Sequence, residues 1–177
     1  MKLIYILPIG QTDPKIIRYL SKQLLGYLHF PTKVLGAIAL PASAYDKNRQ
    51  QYRAGQIIRE IRLFDFSNIE KVLGIIGADL YSEDFSFVYG EAEAPGRNAL
   101  FSLARLDPQY YDQPANQELV KKRALKEATH ELGHTYSLSH CPDTHCVMYY
   151  AQSIEDVDNK EEKFCARCQK LYEMYNS

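Results

Sequence analysis

Short apolar runs alternate with amphipathic helical patterns along the first 76 residues, and this alternation restricts the fold more than any other feature. Residues 2–7 read as a strand. Asp13 then caps a helix with Pro14 at its first position, and Ile16, Ile17, Leu20, Leu24 and Leu28 recur at helical spacing. Residues 32–40 read as a second strand ended by Pro41. Residues 48–63 read as a second helix with Ile57, Ile58 and Ile61 on its buried side. Residues 72–76 form a third run, apolar throughout, as expected of a strand whose two faces are both covered. A β–α–β–α–β order predicts an α/β fold: a mixed, mostly parallel twisted sheet flanked by helices, with right-handed crossovers.

The pattern changes in the second half. Residues 85–89 and 99–103 are short strand candidates on either side of the turn-rich segment 94–98. A long helix is expected over 117–138, with Asn116 as N-cap, Glu118 in its first turn, and Leu125, Ala128, Leu132 and Tyr136 as its buried stripe. A last helix is expected from about residue 159, where Asp158 and Glu161 form a pair resembling a capping box. The region after the long helix has few apolar residues to bury. The chain reads as one domain, 1–177, with an N-terminal part over 1–139 and a small C-terminal part over 140–177.

A chain of 177 residues suits one domain and can bury about 70 % of the surface its unfolded form exposes. Lys plus Arg is 21 and Asp plus Glu is 22, for a net charge of −1, which gives no footing to nucleic-acid or membrane-surface binding. No apolar run reaches the roughly 18 residues of a membrane span. The apolar start of the chain is too short for a signal peptide. The expectation is a cytoplasmic monomer whose four cysteines stay reduced and serve metal binding rather than disulfides. Gly74 and Gly77 do not complete a phosphate-binding pattern.

The segment 130–140, HELGHTYSLSH, concentrates the chemistry. His130 and His134 are four apart and stand one turn apart on the same helix face, so their imidazoles can meet one Zn²⁺ at roughly 2.0–2.1 Å. Glu131 lies about 100° around the helix from His130, within reach of a water at the metal without being a ligand. His140 supplies a third ligand, and three protein ligands leave a fourth position open, which catalysis needs. The competing reading is a solvent-facing helix with coincidental histidines.

This segment resembles the zinc motif of the metzincins, H-E-x-x-H-x-x-G-x-x-H followed by a Met-turn, with Met148 in the place of the Met-turn methionine. It is more similar still to the archaemetzincins, also called archaelysins. Their motif runs on into a Cys after the third His, a second Cys, a Met two residues later and a final C-x-x-C, matched here by Cys141, Cys146, Met148 and Cys165–Cys168. The resemblance implies a metzincin-like fold and a metallopeptidase that hydrolyses peptides or proteins, with Glu131 as general base. It also implies a substrate strand laid along an edge strand, here residues 85–89. Tyr150, two residues after Met148, stands where some metzincins carry a tyrosine near the zinc. Ser137 replaces the motif's turn glycine. A serine at positive φ costs roughly 1 kcal/mol, so either Ser137 takes that conformation or the helix ends nearer Ser139.

All four cysteines, Cys141, Cys146, Cys165 and Cys168, have the spacing of a closed Cys₄ zinc site, which is structural because no coordination position is free. Cys165 and Cys168 are expected on one face of the last helix. Two zinc ions per chain follow, one catalytic and one structural. A redox C-x-x-C leaves Cys141 and Cys146 unexplained, and His145 is a further candidate donor inside the first pair. Two other functions stay open: a zinc-binding scaffold with a blocked cleft, and a Cys₄ module that binds a partner or nucleic acid.

Overall fold

The computed structural model describes residues 2–64 and 69–175. Met1, residues 65–68 and residues 176–177 lie outside the described residues, including both ends of the expected 1–177 domain. In chain order the elements are β1 (Leu3–Ile9), α1 (Pro14–Leu28), β2 (Thr32–Val34), β3 (Tyr45–Asp46), β4 (Gln51–Arg53) and α2 (Ala54–Ile61). They continue with β5 (Ile69–Ile76), β6 (Leu80–Ser82), β7 (Phe85–Val88), β8 (Gly90–Ala92) and β9 (Asn98–Ser102). The long helix α3 (Gln117–Thr135) follows, then α4 (Ile154–Asn159) and α5 (Ala166–Tyr175).

β1 is apolar on both faces because the sheet is covered on both sides. Ile4 and Ile6 enter the core shared with α1 and α3, while Tyr5, Leu7 and Ile9 enter a second core under α2. The main sheet has the order β2-β1-β5-β9-β8, parallel except for β8, which runs antiparallel to β9. The expected mixed, mostly parallel sheet flanked by helices is therefore what the chain forms. Helix α1 starts as expected: the Asp13 side chain accepts from the Lys15 N–H, and Pro14 occupies the first turn. Its five apolar positions are all buried, about 10 kcal/mol of gross transfer free energy.

Several expected elements differ, each for a tertiary reason. The strand expected over 32–40 stops at Val34; it is a largely exposed edge strand, and beyond it the Leu35 N–H donates to Ile6 O and Ile38 bridges back to Ile9. The helix expected from residue 48 begins at Ala54, because 51–53 are taken by β4, which pairs with β3 and with β6. These strands and β7 make a second, four-stranded sheet, β3-β4-β6-β7, whose two- to four-residue strands are too short to carry a period.

The C-terminal expectations change most. Residue 159 ends a helix rather than starting one. The observed capping box joins Ser153 and Asp156 at the start of α4, and the pairing of Asp158 with Glu161 is absent because Lys160 is extended (φ −70°, ψ 153°). Helix α5 starts only at Ala166, so Cys165 precedes it and the two C-x-x-C cysteines do not share a helix face. Nor is the region after α3 poor in core. Val147, Met148, Val157, Phe164 and Tyr172 are buried in the same cluster as Leu125, Ala128 and Leu132 of α3. Among the described residues no helix is long and apolar enough to cross a membrane.

Candidate metal centre and active-site cleft

Helix α3 begins with the expected cap, Asn116 accepting from the Leu119 N–H. It ends at Thr135 rather than Leu138. Ser137 takes the left-handed conformation at φ 68°; its N–H donates to His134 O, and the Leu138 N–H donates back to Gly133 O. This is a Schellman closure with a serine in the position that usually holds glycine. It turns the chain sharply enough to bring His140 against the two helical histidines.

The same turn orients a candidate ligand. Leu138 O accepts from His134 Nδ1 at 2.8 Å, and Val147 O accepts from His130 Nδ1 at 2.8 Å. With each Nδ1 donating to a carbonyl, both Nε2 atoms carry lone pairs. These face each other at 3.1 Å. Two facing lone pairs repel unless a cation lies between them, and tetrahedral ligands at about 2.05 Å from zinc stand about 3.3 Å apart. His140 joins them: the donor atoms of His130, His134 and His140 all lie within 4.8 Å of one another. The donor set fits a metal ion of the zinc type.

Electrostatics favour the same state. Burial, reinforced by the charge of Lys160, holds His130 well below its ordinary value. Burial pushes His134 down to about 4, and burial with Lys160 lowers His140. Neutral imidazoles are the form that coordinates metals. Glu131 is 4 % exposed; burial and the neighbouring Glu127 raise its carboxyl well above the usual range, against the pull of Lys160.

Met148 is fully buried against helix α3. A Cβ on Gly133 would lie 2.5 Å from Met148 Sδ, so the helix and the turn after Cys146 meet at a position where only glycine leaves room. His130, Glu131, His134, His140 and Tyr150 line one cleft of about 620 Å³. The ring of Tyr150 lies 4.9 Å from that of His140 and 6.4 Å from that of Phe85. The cleft's other wall is the run 85–92. Among the described residues β7 pairs only with β6 and β8 only with β9, so each leaves an edge free of strand pairing. Sequence reasoning placed the edge at 85–89 but missed Gly90 and Glu91, which line the cleft as well, and it gave no role to Glu127 or Lys160. Lys160 stands 20 residues after His140 with no motif around it.

The four cysteines also converge. The sulfurs of Cys141, Cys146, Cys165 and Cys168 lie within 4.8 Å of one another, Cys141 Sγ and Cys165 Sγ at 3.9 Å. Sulfurs at about 2.3 Å from a tetrahedral zinc stand about 3.8 Å apart. The Cys165 N–H donates to Cys146 Sγ at 3.3 Å, and the Cys141 N–H donates to Met148 O at 2.9 Å, tying this cluster to the turn under the histidines. His145 is exposed, outside the cluster, with its N–H on Asp143.

Known proteins resemble this chain over most of its length. The sequence profile of peptidase family M54 matches residues 21–174. The archaemetzincin of Methanocaldococcus jannaschii is 39 % identical over 167 residues, covering 94 % of this chain and 90 % of its relative. The crystal structure of the Methanopyrus kandleri archaemetzincin superimposes with a TM-score of 0.88 at 35 % identity, over 99 % of this chain and 95 % of that one. That of the Archaeoglobus fulgidus archaemetzincin gives 0.84 at 34 % identity, over 96 % and 99 %. With the family profile covering most of its length and archaemetzincins matching it nearly end to end, this chain belongs to peptidase family M54.

Proposed function

We propose that the chain is a zinc-dependent metallopeptidase in which His130, His134 and His140 hold a catalytic zinc and Glu131 is the general base. The observation that carries the reading is the convergence of three metal-ready imidazoles beside a buried carboxylate in one cleft. Zinc there supplies a Lewis acid that polarises the scissile carbonyl and lowers the pKa of water toward about 7. Glu131 takes a proton from the attacking water and passes it to the leaving amine, so its carboxylate is regenerated in each cycle. Tyr150 donates its hydroxyl to the developing oxyanion. The free edges at β7 and β8 bind the peptide backbone as an added strand.

Cys141, Cys146, Cys165 and Cys168 hold a second, structural zinc, and the substrate is a peptide or protein. The domain spans 1–177 and acts as a monomer in the cytosol, where the thiols stay reduced. A second reading, a chain that binds zinc and hydrolyses nothing, draws on the ring contacts of Tyr150 with both His140 and Phe85, which narrow the cleft mouth. Metal content and peptide-library cleavage, measured side by side for wild type and Glu131→Ala, separate the two. The peptidase reading expects equal zinc and a loss of cleavage by several orders of magnitude in the variant. Equal cleavage by both proteins refutes Glu131 as base, and no cleavage by wild type favours the silent scaffold.

A further inference from the structure

The second sheet carries a bulge where it meets the cleft. Leu80 of β6 is opposite Val88 of β7 and Ser82 is opposite Phe85, so Tyr81 alone faces both Ser86 and Phe87. A bulge leaves backbone outside the ladder, and bulges collect at sheet edges and beside active sites. Ser86 and Phe87 both line the cleft of His130, Glu131 and His134, and Ser86 is exposed.

Side chains from other segments grip this bulge. Gln51 of β4 is 7 % exposed, and its Nε2 donates to Ser86 O at 3.0 Å and to Asp79 Oδ2 at 2.9 Å. Both neighbours are acceptors, so the nitrogen of the amide faces them. Asp79 is itself fixed. Arg105 donates to its Oδ1 through Nε and to its Oδ2 through Nη2, both at 2.8 Å, and the Leu80 N–H donates to Oδ1 at 3.1 Å. The Arg105 guanidinium also lies 4.1 Å over the Phe87 ring. Arg105, Asp79 and Gln51 thus hold both bulged residues, Ser86 by its carbonyl and Phe87 by its ring. A trans peptide sets C=O and N–H in opposite directions, so the bond from Gln51 to Ser86 O aims the Phe87 N–H away from Gln51.

We propose that Gln51, oriented by Asp79 and Arg105, is a positioning residue for the substrate: it holds the Ser86–Phe87 peptide so that the Phe87 N–H donates to a backbone carbonyl of a peptide laid along β7. The proposal rests on the peptidase reading, with the free edge of β7 as the place of the substrate strand. A strand added to a sheet edge gains its affinity from main-chain hydrogen bonds. A donor held in place beforehand costs no ordering on binding. Phe87 belongs to the wall of the cleft and not to the reacting groups, so its N–H binds substrate and transition state alike, and its misdirection changes KM rather than kcat.

The test uses zinc-loaded protein and an extended peptide whose amides are replaced one at a time by trans-alkenes, which keep the shape and remove the backbone hydrogen bonds. Binding is read by calorimetry in the Glu131→Ala background, and cleavage with Glu131 present. One alkene peptide is expected to bind that background about 10-fold more weakly than the parent peptide. Adding Gln51→Met, which keeps the volume and removes the donor, is expected to weaken the parent peptide about 10-fold and to cut the penalty of that alkene to about twofold or less, a coupling that lost stability alone does not produce. With Glu131 present, Gln51→Met is expected to raise KM about 10-fold and to leave kcat within about threefold. Arg105→Met, which frees Asp79 and the Phe87 ring, is expected to show the same coupling in smaller measure, and it takes the place of Gln51→Met if that variant does not fold. Parent binding unchanged by the variant, an alkene penalty that keeps its full size, a fall in kcat at constant KM, or no binding by any peptide overturns the proposal. Coupling without wild-type cleavage discards the peptidase reading and leaves the positioning role standing; cleavage without coupling does the reverse.

Discussion

Gly90 faces Glu131 so closely that a Cβ at residue 90 would lie 2.5 Å from Glu131 Oε1. The same Cβ would lie 2.6 Å from Leu100 O, which is backbone of the neighbouring strand and cannot yield. The edge strand and the proposed general base are therefore fitted to each other.

Gly90→Ala follows from that contact. The new methyl group pushes residue 90 of β8 away from Leu100 O and displaces the Glu131 carboxylate, while His130, His134 and His140 keep their positions. Because misplacement by about 1 Å can cost 10²-fold, kcat is expected to fall by about that factor or more. Zinc content stays at the wild-type level. A variant with wild-type kcat would show that Glu131 moves freely or does not act as the base.

Ser137 offers a gain. Its φ of 68° is strained for a residue with a Cβ, and the hydrogen bonds that close the helix do not use its side chain. Ser137→Gly removes the strain, offset in part by the greater freedom of glycine in the unfolded chain. The expected net is about 0.5–1 kcal/mol of added stability, or about 1–4 °C in Tm. Thermal unfolding measures it, and a lower Tm would mean that the turn relies on the serine.

Cys165→Ser tests the second metal site. Zinc is expected to drop from two per chain to one, and unfolding to begin about 10 °C or more lower, because structural zinc contributes on the order of 10 kcal/mol in small sites. Val157, Phe164 and Tyr172 keep part of the segment attached through the main core, so the loss is partial rather than complete. A single zinc in the fully metallated wild type, or a variant that melts like it, would remove the structural site.

The sequence by itself determined what periodic or spaced side chains can encode. The buried faces of β1, α1, α2 and α3 were legible because their apolar residues recur at the helical period or fill a doubly covered strand. Spacing also made the donor pairs legible, His130 with His134 on one helix and the two cysteines of each pair close in sequence, but Cys141 and Cys165 meet across 24 positions, which tertiary packing decides. Tertiary structure decided the rest. Strands of two or three residues have no period, so β3, β4, β6 and β8 exist only because partners pair with them. Residue 160 was expected inside a helix starting at about residue 159, yet its backbone is extended where its side chain reaches Glu127 across 33 positions of the chain. Gly90 meets Glu131 across 41 positions. Such contacts leave no local pattern, because their stability comes from burial and charge pairing between segments that the sequence does not place side by side.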